Sequence, residues 1–345
     1  MRLSNISERF LAYATDQALL ISLTSLISEI LHIKAAFLGF FILYKINFVQ
    51  GFSHIFTTYY GLENILILYI LSLSYYSLSS FYNVGVSQSI FKLRVINKYN
   101  MPRMKFFRTI LVRESVRAFF VLNFINALFI LKYRNFLQSL IDRKLDFYVV
   151  QVNDDLNKKS IFYEYFEASI VIYYSTFLIL MLIYLFIIKL QNPSIGSTGT
   201  ATSFDFWDFF DSILNNNLTL NLEEYVSGGL SLFIGTFVSL FNSNILEAES
   251  IAILYGGPHG STLLKYTLPQ FFPETFGYIF GIATSMNIVD MAFSYLKSML
   301  RNEKSNEFFE RAKILVLNTG FYMAFSISLL ILGALIESSL GLYNF

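Results

Sequence analysis

Long apolar segments without charged residues limit what this chain can fold into. The clearest one runs from Ala168 to Ile188 and contains no Asp, Glu, Lys or Arg. A helix of about 20 apolar residues crosses the roughly 30 Å hydrocarbon core of a bilayer. Hydrophobic residues make up 55% of the chain and charged residues only 14%, a balance that soluble domains do not show. Comparable apolar segments occur at residues 17–38, 64–84, 228–245, 273–295 and 315–337.

We therefore predict an all-α, polytopic helical membrane protein with about seven transmembrane helices plus re-entrant or in-plane segments. The shortest apolar stretch, residues 118–130, has basic residues on both sides. Its length favours a re-entrant or in-plane segment, and a crossing is the alternative.

Basic residues are concentrated between Lys92 and Arg117, where Glu114 is the single acid. Loops rich in Lys and Arg stay in the cytoplasm, so we predict a multi-pass protein of the cell membrane with a cytoplasmic N-terminus. The expected partners of these bases are anionic membrane lipids, with a specific protein or nucleic-acid site as the alternative. Because the net charge is only +1, we expect no nucleic-acid partner. The candidate headgroup contacts are Arg94, Arg103, Lys105, Arg108 and Arg113.

Residues 1–152 carry four polar motifs between the apolar segments. They are ERFLAYATD with Arg9 and Asp16, SIFKLRVIN, FFRTILVRESVR, and RNFLQSLIDRKLDFYVV with Asp142. In this order they resemble the RDD family, which is named for one arginine and two aspartates at matching positions. The chain departs from the family at Ser87 and Gln88, where relatives usually carry Gly-Lys. The resemblance implies a membrane domain, and some RDD-like proteins are thought to exchange cations.

Arg9 and Asp16 fall on one face of a predicted helix, two turns apart, so they cannot pair directly. Each needs a further partner. A polar cluster that joins both residues to Asp142 is our hypothesis.

The stretch from Thr267 to Asp290 combines a proline-marked entry with an apolar helix. We predict Pro273 as the first helical residue, because proline lacks the N–H that would be unpaired there. Glu274 then lies in the first turn. Small residues at a spacing of four allow a second helix to pack closely in a bilayer. The predicted packing residues are Gly277, Gly281 and Ser285, and a second pair is Ser231 and Gly235.

Glu274 and Glu337 lie on the last two apolar segments at similar distances from the charged turn that joins them. If the two helices pack as an antiparallel pair, both carboxylates lie at the same outer level. There they can share a proton or bind a cation, with His259 and Lys265 as the nearby bases. The structural alternatives are that Glu274 interacts with its own helix N-terminus and that Glu337 reaches water. With no cysteine and no metal-ligand spacing, we expect no metal and no cofactor.

No Lys or Arg occurs from Gln191 to Leu264, which favours the outer side of the membrane. Trp207, within FDFWDFF, is predicted to lie at the outer interface. Asn217 begins an Asn-Leu-Thr sequence that matches a glycosylation sequon, although so short a pattern often arises by chance.

The motifs FFDSILNNNLTLNL, LPQFFPETFGYIFGIATSM and LGALIESSLG resemble the stage II sporulation protein M family. Pro269, Gln270, Phe271, Pro273 and Glu274 match its proline-glutamate motif, with Gln in place of the usual His and Phe in place of Gly. The resemblance implies a membrane scaffold for cell-envelope remodelling partners. We predict an RDD-like domain at residues 1–152, a polar linker at 153–167 and a sporulation-M-like domain at 168–345.

Without a nucleophile elbow, phosphate loop or metal triad in the sequence, we expect a protein that is not an enzyme. The first hypothesis is a scaffold subunit that assembles with itself or with other membrane-protein subunits. The alternative is a proton- or cation-coupled transporter that uses Asp16, Glu274 and Glu337, and lipid handling is a third possibility.

Overall fold

The computed structural model describes residues 2–4, 6–31, 59–99, 101–119, 122–123, 138–152, 158–191, 206–230, 244, 248, 260–301 and 306–341. These parts of the chain form nine helices and three short strands. The helices are α1 (Ile6–Ile30), α2 (Tyr59–Tyr82), α3 (Val86–Ile90), α4 (Arg103–Ala118), α5 (Leu140–Lys144), α6 (Lys158–Gln191), α7 (Phe206–Leu230), α8 (Gly260–Arg301) and α9 (Asn306–Gly341). The strands are β1 (Arg2–Leu3), β2 (Leu93–Asn97) and β3 (Phe147–Gln151).

Five segments within the described ranges are long and apolar enough to cross a membrane. By length and composition they fit a multi-pass membrane protein. The prediction that the chain is mostly helical is confirmed by the described elements. The expectation of about seven crossings stays a prediction, because residues 231–243 and 124–137 lie outside the described ranges. The five segments are Ile6–Ile30, Gly61–Ile90, Ile161–Ile183, Leu268–Leu296 and Phe309–Ser339.

The structure contains a three-stranded antiparallel sheet of order β1-β3-β2. The sequence analysis did not predict it. The central strand β3 pairs along all of β2, with Arg94 opposite Val150. Leu93 and Val95 are buried while Arg94 is exposed, which is the alternation of a half-buried strand. The strands are too short to stand out beside the long apolar segments. The description as all-α therefore holds for the helical bundle but misses this sheet.

α8 extends further towards the N-terminus than the proline pattern indicates. It begins at Gly260, so that Pro269 and Pro273 both lie inside the helix. The prediction that Pro273 is the first helical residue is therefore wrong. Unpaired backbone groups are costly away from water, and proline is tolerated inside membrane helices when neighbouring helices and side chains compensate for the lost hydrogen bond.

The helices of the two predicted domains share one hydrophobic core. Leu11 and Ala18 from α1 lie in the same cluster of buried side chains as Ile172 from α6 and Ile282 from α8. In addition, α6 begins at Lys158, so the second half of the predicted linker is helical. The sequence boundary between the domains stays a prediction, but the described helices pack into one bundle.

Candidate functional site

A buried ion-pair cluster joins α4 to α5. Arg113 Nε donates to Asp142 Oδ1 at 2.5 Å, and Arg113 Nη1 contacts Glu114 Oε1. Arg117 Nη1 donates to Glu114 Oε2 at 2.8 Å, and Ser80 Oγ from α2 donates to Glu114 Oε1 at 2.7 Å. Arg113, Glu114 and Asp142 are all buried. The charges of this cluster are therefore neutralised within the fold.

Electrostatics keep the central pair of this cluster ionised. Burial by itself disfavours the charge on Asp142, but Arg113, assisted by Arg9 and Arg117, outweighs burial and holds the pKa of Asp142 below its ordinary value of 3.8. Burial likewise disfavours the charge on Arg113, and Asp142 and Glu114 raise the pKa of its guanidinium above the ordinary value. Ser139 positions the aspartate, because its Oγ accepts the Asp142 N–H at the start of α5.

The structure corrects the assignment of Arg113 to lipid headgroups. Its side chain is 1% exposed, so it cannot reach the membrane surface. The remaining candidates are exposed, and they stay predicted headgroup contacts: Arg94, Arg103, Lys105 and Arg108.

Arg9 and Asp16 have separate partners, contrary to the hypothesis of one cluster with Asp142. Arg9 Nε donates to Ser4 Oγ at 2.6 Å, and its Nη2 donates to the Val149 carbonyl at 3.0 Å. The arginine thus connects α1 to β3. Asp142 attracts Arg9 through space but pairs with Arg113.

Asp16 on α1 is held by neutral donors from α2 and α3. Tyr75 donates its hydroxyl to Asp16 Oδ1 at 2.7 Å, and Ser87 donates its hydroxyl to Oδ2 at 2.6 Å and its N–H to Oδ1 at 3.3 Å. Ser87 is one of the residues that depart from the RDD pattern, and here it supplies two of the three hydrogen bonds. Within the described ranges Asp16 has no ion pair with Lys or Arg.

A second buried ion cluster was missed by the sequence analysis. Arg311 Nη2 on α9 donates to Asp290 Oδ2 on α8 at 2.8 Å and lies 3.7 Å from Glu8 Oε1 on α1. The Tyr165 hydroxyl on α6 donates to the same Asp290 oxygen at 2.6 Å. Four helices therefore meet at one carboxylate. The sequence signal was an isolated Asp in the apolar helix, which needs a cation at its own depth.

The predicted glycine seam of α8 packs against helices of the same chain. A Cβ added at Gly277 would lie 2.7 Å from Leu330 Cδ2 on α9, and one at Gly281 would lie 2.6 Å from Asn221 Oδ1 on α7. Ser285 Oγ donates to the Glu224 carbonyl at 2.7 Å. α8 thus lies close to both α7 and α9. Ser231 and Gly235 fall outside the described residues.

Glu274 lies between α7 and α9. Its Oε1 accepts a hydrogen bond from Asn217 Nδ2 at 2.9 Å, and its side chain packs over Gly333, where a Cβ would be 2.5 Å from Glu274 Cγ. The Tyr278 hydroxyl donates to Asn217 Oδ1 at 3.1 Å. Both polar atoms of Asn217 are therefore engaged inside the bundle, which contradicts its use as a glycosylation site.

Glu337 follows Gly333 by one turn on the same face of α9, about 6 Å further along the axis at about 1.5 Å per residue. The two carboxylates are thus offset by a turn, and their pairing stays a prediction. Lys265 lies in α8, but its side chain is outside the described part of the structure, as is His259 entirely. Trp207 lies in the first turn of α7 and is 64% exposed.

No group of three or more His, Asp and Glu side chains among the described residues could hold a metal ion. Comparison with known protein families, with curated proteins and with solved structures finds no match to this chain.

Proposed function

We propose that this chain is a non-enzymatic integral membrane protein that acts as a structural subunit, a scaffold within a membrane or cell-envelope complex. The observation that carries the proposal is the cluster in which Arg311, Asp290, Glu8 and Tyr165 bind α1, α6, α8 and α9 together. Removing one member of a buried ion pair leaves an uncompensated charge and is strongly destabilising. Such a cluster therefore holds the helices in one relative arrangement, as a scaffold requires.

The buried polar groups of the bundle support the same role. Asn221 Nδ2 donates to Ser326 Oγ at 2.5 Å, and Ser326 Oγ donates to the Gly277 carbonyl at 2.7 Å. Hydrogen bonds of this kind between helices stabilise bundles in lipid, where water offers no alternative partner. They link α7, α8 and α9.

The outer surface offers faces for lipids and for other membrane proteins. α9 exposes a continuous set of large apolar side chains, and α2 does the same on its own outer face. We propose that a second copy or another subunit packs on α9 and that lipid covers the rest. The exposed apolar residues of α9 include Val316, Leu317, Phe321, Phe325 and Leu332.

The proposed location is the cell membrane, with the N-terminus and the basic surface of α4 in the cytoplasm. Arg103, Lys105 and Arg108 are exposed on α4, and Arg94 is exposed on β2. A surface with these bases is attracted to anionic headgroups.

A photoreactive amino acid tests the scaffold proposal in native membranes. Azidophenylalanine at Phe321, which is 48% exposed, is expected to give a discrete protein adduct on irradiation. The same substitution at the buried neighbour Tyr322 is the matched control and is expected to give none. Lipid adducts alone at Phe321, at Leu332 and on α2 at Leu66 would contradict the scaffold role.

A second candidate function is proton- or cation-coupled transport, and the surroundings of the Asp16 carboxylate support it. Neutral donors hold this buried carboxylate, so a proton or another cation can supply its countercharge. The same interface is polar further along, where Gln17 Nε2 donates to the Tyr76 hydroxyl at 3.0 Å and Ser28 Oγ donates to Asn64 Oδ1 at 3.0 Å.

Flux measurements on reconstituted protein separate the two candidates. A transporter is expected to carry protons or sodium ions under an imposed pH gradient and to lose that flux in Asp16→Asn. The exposed residue Asp208 provides the control variant Asp208→Asn, which should keep wild-type flux. Flux no greater than in empty liposomes, with folded protein, rules out transport of these ions and favours the scaffold.

A further inference from the structure

The outward face of α7 is polar over most of its length. Its exposed side chains recur every three or four residues, so they lie on one side of the helix. α7 has no Lys or Arg, and the exposed polar groups are therefore carboxylates, amides and hydroxyls. The face continues to Glu223 and ends with Leu222 and Val226, which are apolar and exposed. Its polar members before that end are Asp208, Asp211, Ser212, Asn215, Asn216 and Thr219.

Hydrogen bonds to α8 fix the depth of this face. Asn217 Nδ2 donates to Glu274 Oε1 at 2.9 Å. Two turns later the Glu224 carbonyl accepts a hydrogen bond from Ser285 Oγ at 2.7 Å. Because the residue numbers of the partners increase together, α7 and α8 run in the same direction. Each level of α7 can therefore be matched to a level of α8.

The polar face reaches well inside the apolar part of the bundle. By these contacts Asp211 is about level with Leu268, where the candidate span of α8 begins, and Thr219 is about level with Gly277. Gly277 lies about 14 Å beyond Leu268 along the helix axis, at about 1.5 Å per residue. Within the described ranges, α7 is not itself among the five apolar segments. A polar helix surface thus extends beside a helix that is apolar enough to span the membrane.

The surface of α9 at the same depth is apolar. Leu332 is 47% exposed and precedes Gly333, whose Cβ position contacts the Glu274 side chain. On α8, Phe276 is likewise apolar and 37% exposed. At one level the bundle therefore presents hydrocarbon side chains on these two helices and polar side chains on α7. Surroundings that suit one side do not suit the other.

Lipid does not suit the exposed amides and hydroxyls of α7. Acyl chains offer no hydrogen-bond partner, and burying a polar group without one costs free energy. Polar residues at membrane depth accordingly face the protein interior or a water-filled cavity. Here the polar face is continuous from Asp208 and Asp211, at the level where the span begins, to Thr219. Continuity with the aqueous side favours water over a protein partner, which would have to match every exposed donor and acceptor.

Amide side chains connect this face to a carboxylate inside the bundle. Asn216 Nδ2, on the exposed face, donates to Asn217 Oδ1 at 3.4 Å, and Asn217 Nδ2 donates to Glu274 Oε1 at 2.9 Å. Glu274 itself lies between α7 and α9. Two amide groups therefore link the polar face to Glu274.

We propose that the exposed polar face of α7 lines a water-filled vestibule, which opens at the N-terminal end of α7 and ends near Leu222 and Val226 inside the membrane. It admits water and the small hydrophilic solutes dissolved in it. The vestibule presupposes the proposed membrane location of α8 and α9. It goes beyond the proposed scaffold role, because it gives solvent a route to the depth of Glu274.

Cysteine labelling tests the vestibule, since the chain has no cysteine of its own. Asn215→Cys and Thr219→Cys are made in the full-length protein and reconstituted into lipid nanodiscs, which leave both membrane surfaces accessible. A charged methanethiosulfonate reagent attacks the ionised thiol, which forms where water reaches it. Leu332→Cys is the matched control at the same depth. Both α7 positions should be labelled at least about tenfold faster than this control.

Three results would overturn the vestibule. Labelling of Thr219→Cys as slow as that of Leu332→Cys means that lipid or protein covers α7. Rapid labelling of Leu332→Cys as well means that α9 is not in lipid at this level, so that the proposed membrane location fails too. Labelling of Thr219→Cys in nanodiscs but not in native membranes means that a protein partner covers the face. Size-exclusion chromatography checks that each variant is folded, and Asn216→Cys takes the place of Thr219→Cys if that variant misfolds.

Discussion

Arg113 and Asp142 form a buried ion pair at 2.5 Å although 29 residues separate them in the chain. The pair connects α4, which follows the sheet strand β2, to α5, which precedes β3. It also places a charged group of each helix inside the protein, where neither has access to water. The stability of this region therefore depends on both charges being present together.

Replacing Arg113 by Met should destabilise the protein by about 3–5 kcal/mol, because Asp142 and Glu114 would remain buried without their main countercharge. The free energy of unfolding in detergent measures this. Arg108→Met is the matched control on the same helix, since Arg108 is exposed, and its effect should stay within about 0.5 kcal/mol. Equal effects of the two variants would refute the buried pair.

Acid should weaken the same pair. The pKa of Asp142 lies below its ordinary value of 3.8 in the folded protein, so ionised Asp142 favours folding. Its contribution is complete above pH 3.8 and is lost as the pH falls below that value towards the folded pKa. Asp142→Asn lacks this contribution at every pH. The difference in unfolding free energy between wild type and variant should therefore shrink below pH 3.8, and parallel curves would contradict the assignment.

Gly277 and Gly320 should respond in opposite ways to alanine. A Cβ at Gly277 meets Leu330, which is fully buried, so Gly277→Ala should destabilise the protein by about 1–3 kcal/mol through overpacking. A Cβ at Gly320 meets nothing within 4 Å. Gly320→Ala should be neutral or stabilise α9 by up to about 1 kcal/mol, because alanine is the better helix former. Thermal unfolding of the two variants tests the close α8–α9 contact.

Tyr165→Phe should destabilise the protein by about 1–3 kcal/mol, because Asp290 loses the hydroxyl that donates to it at 2.6 Å. Tyr163, on the same helix, is 57% exposed and gives the control Tyr163→Phe, with little expected effect. If both variants unfold like the wild type, the Asp290 cluster does not hold the helices as proposed.

Several interactions at the candidate sites could not be predicted from the sequence, for identifiable reasons. Arg113 lies among many basic residues, and only the packing of α4 shows that this one points inward and its neighbour Arg108 outward. Asp290 ends an apolar segment, and its partners Arg311, Tyr165 and Glu8 come from three distant parts of the chain. Gly281 was predicted as a packing residue, but the oxygens of Asn221 and Glu224 opposite it became visible only in the fold.

The sequence by itself determined that this chain is mostly helical and apolar, because an uncharged run such as Ala168 to Ile188 has few alternatives to a membrane-spanning helix. It also determined which polar residues interrupt those helices. The tertiary structure alone decided their partners: Asp16 meets Tyr75 and Ser87, and Asp290 meets Arg311. The physical reason is that helix formation depends on local backbone hydrogen bonds. The pairing of a buried charge depends instead on the depth and rotation of several helices at once, which no single segment encodes.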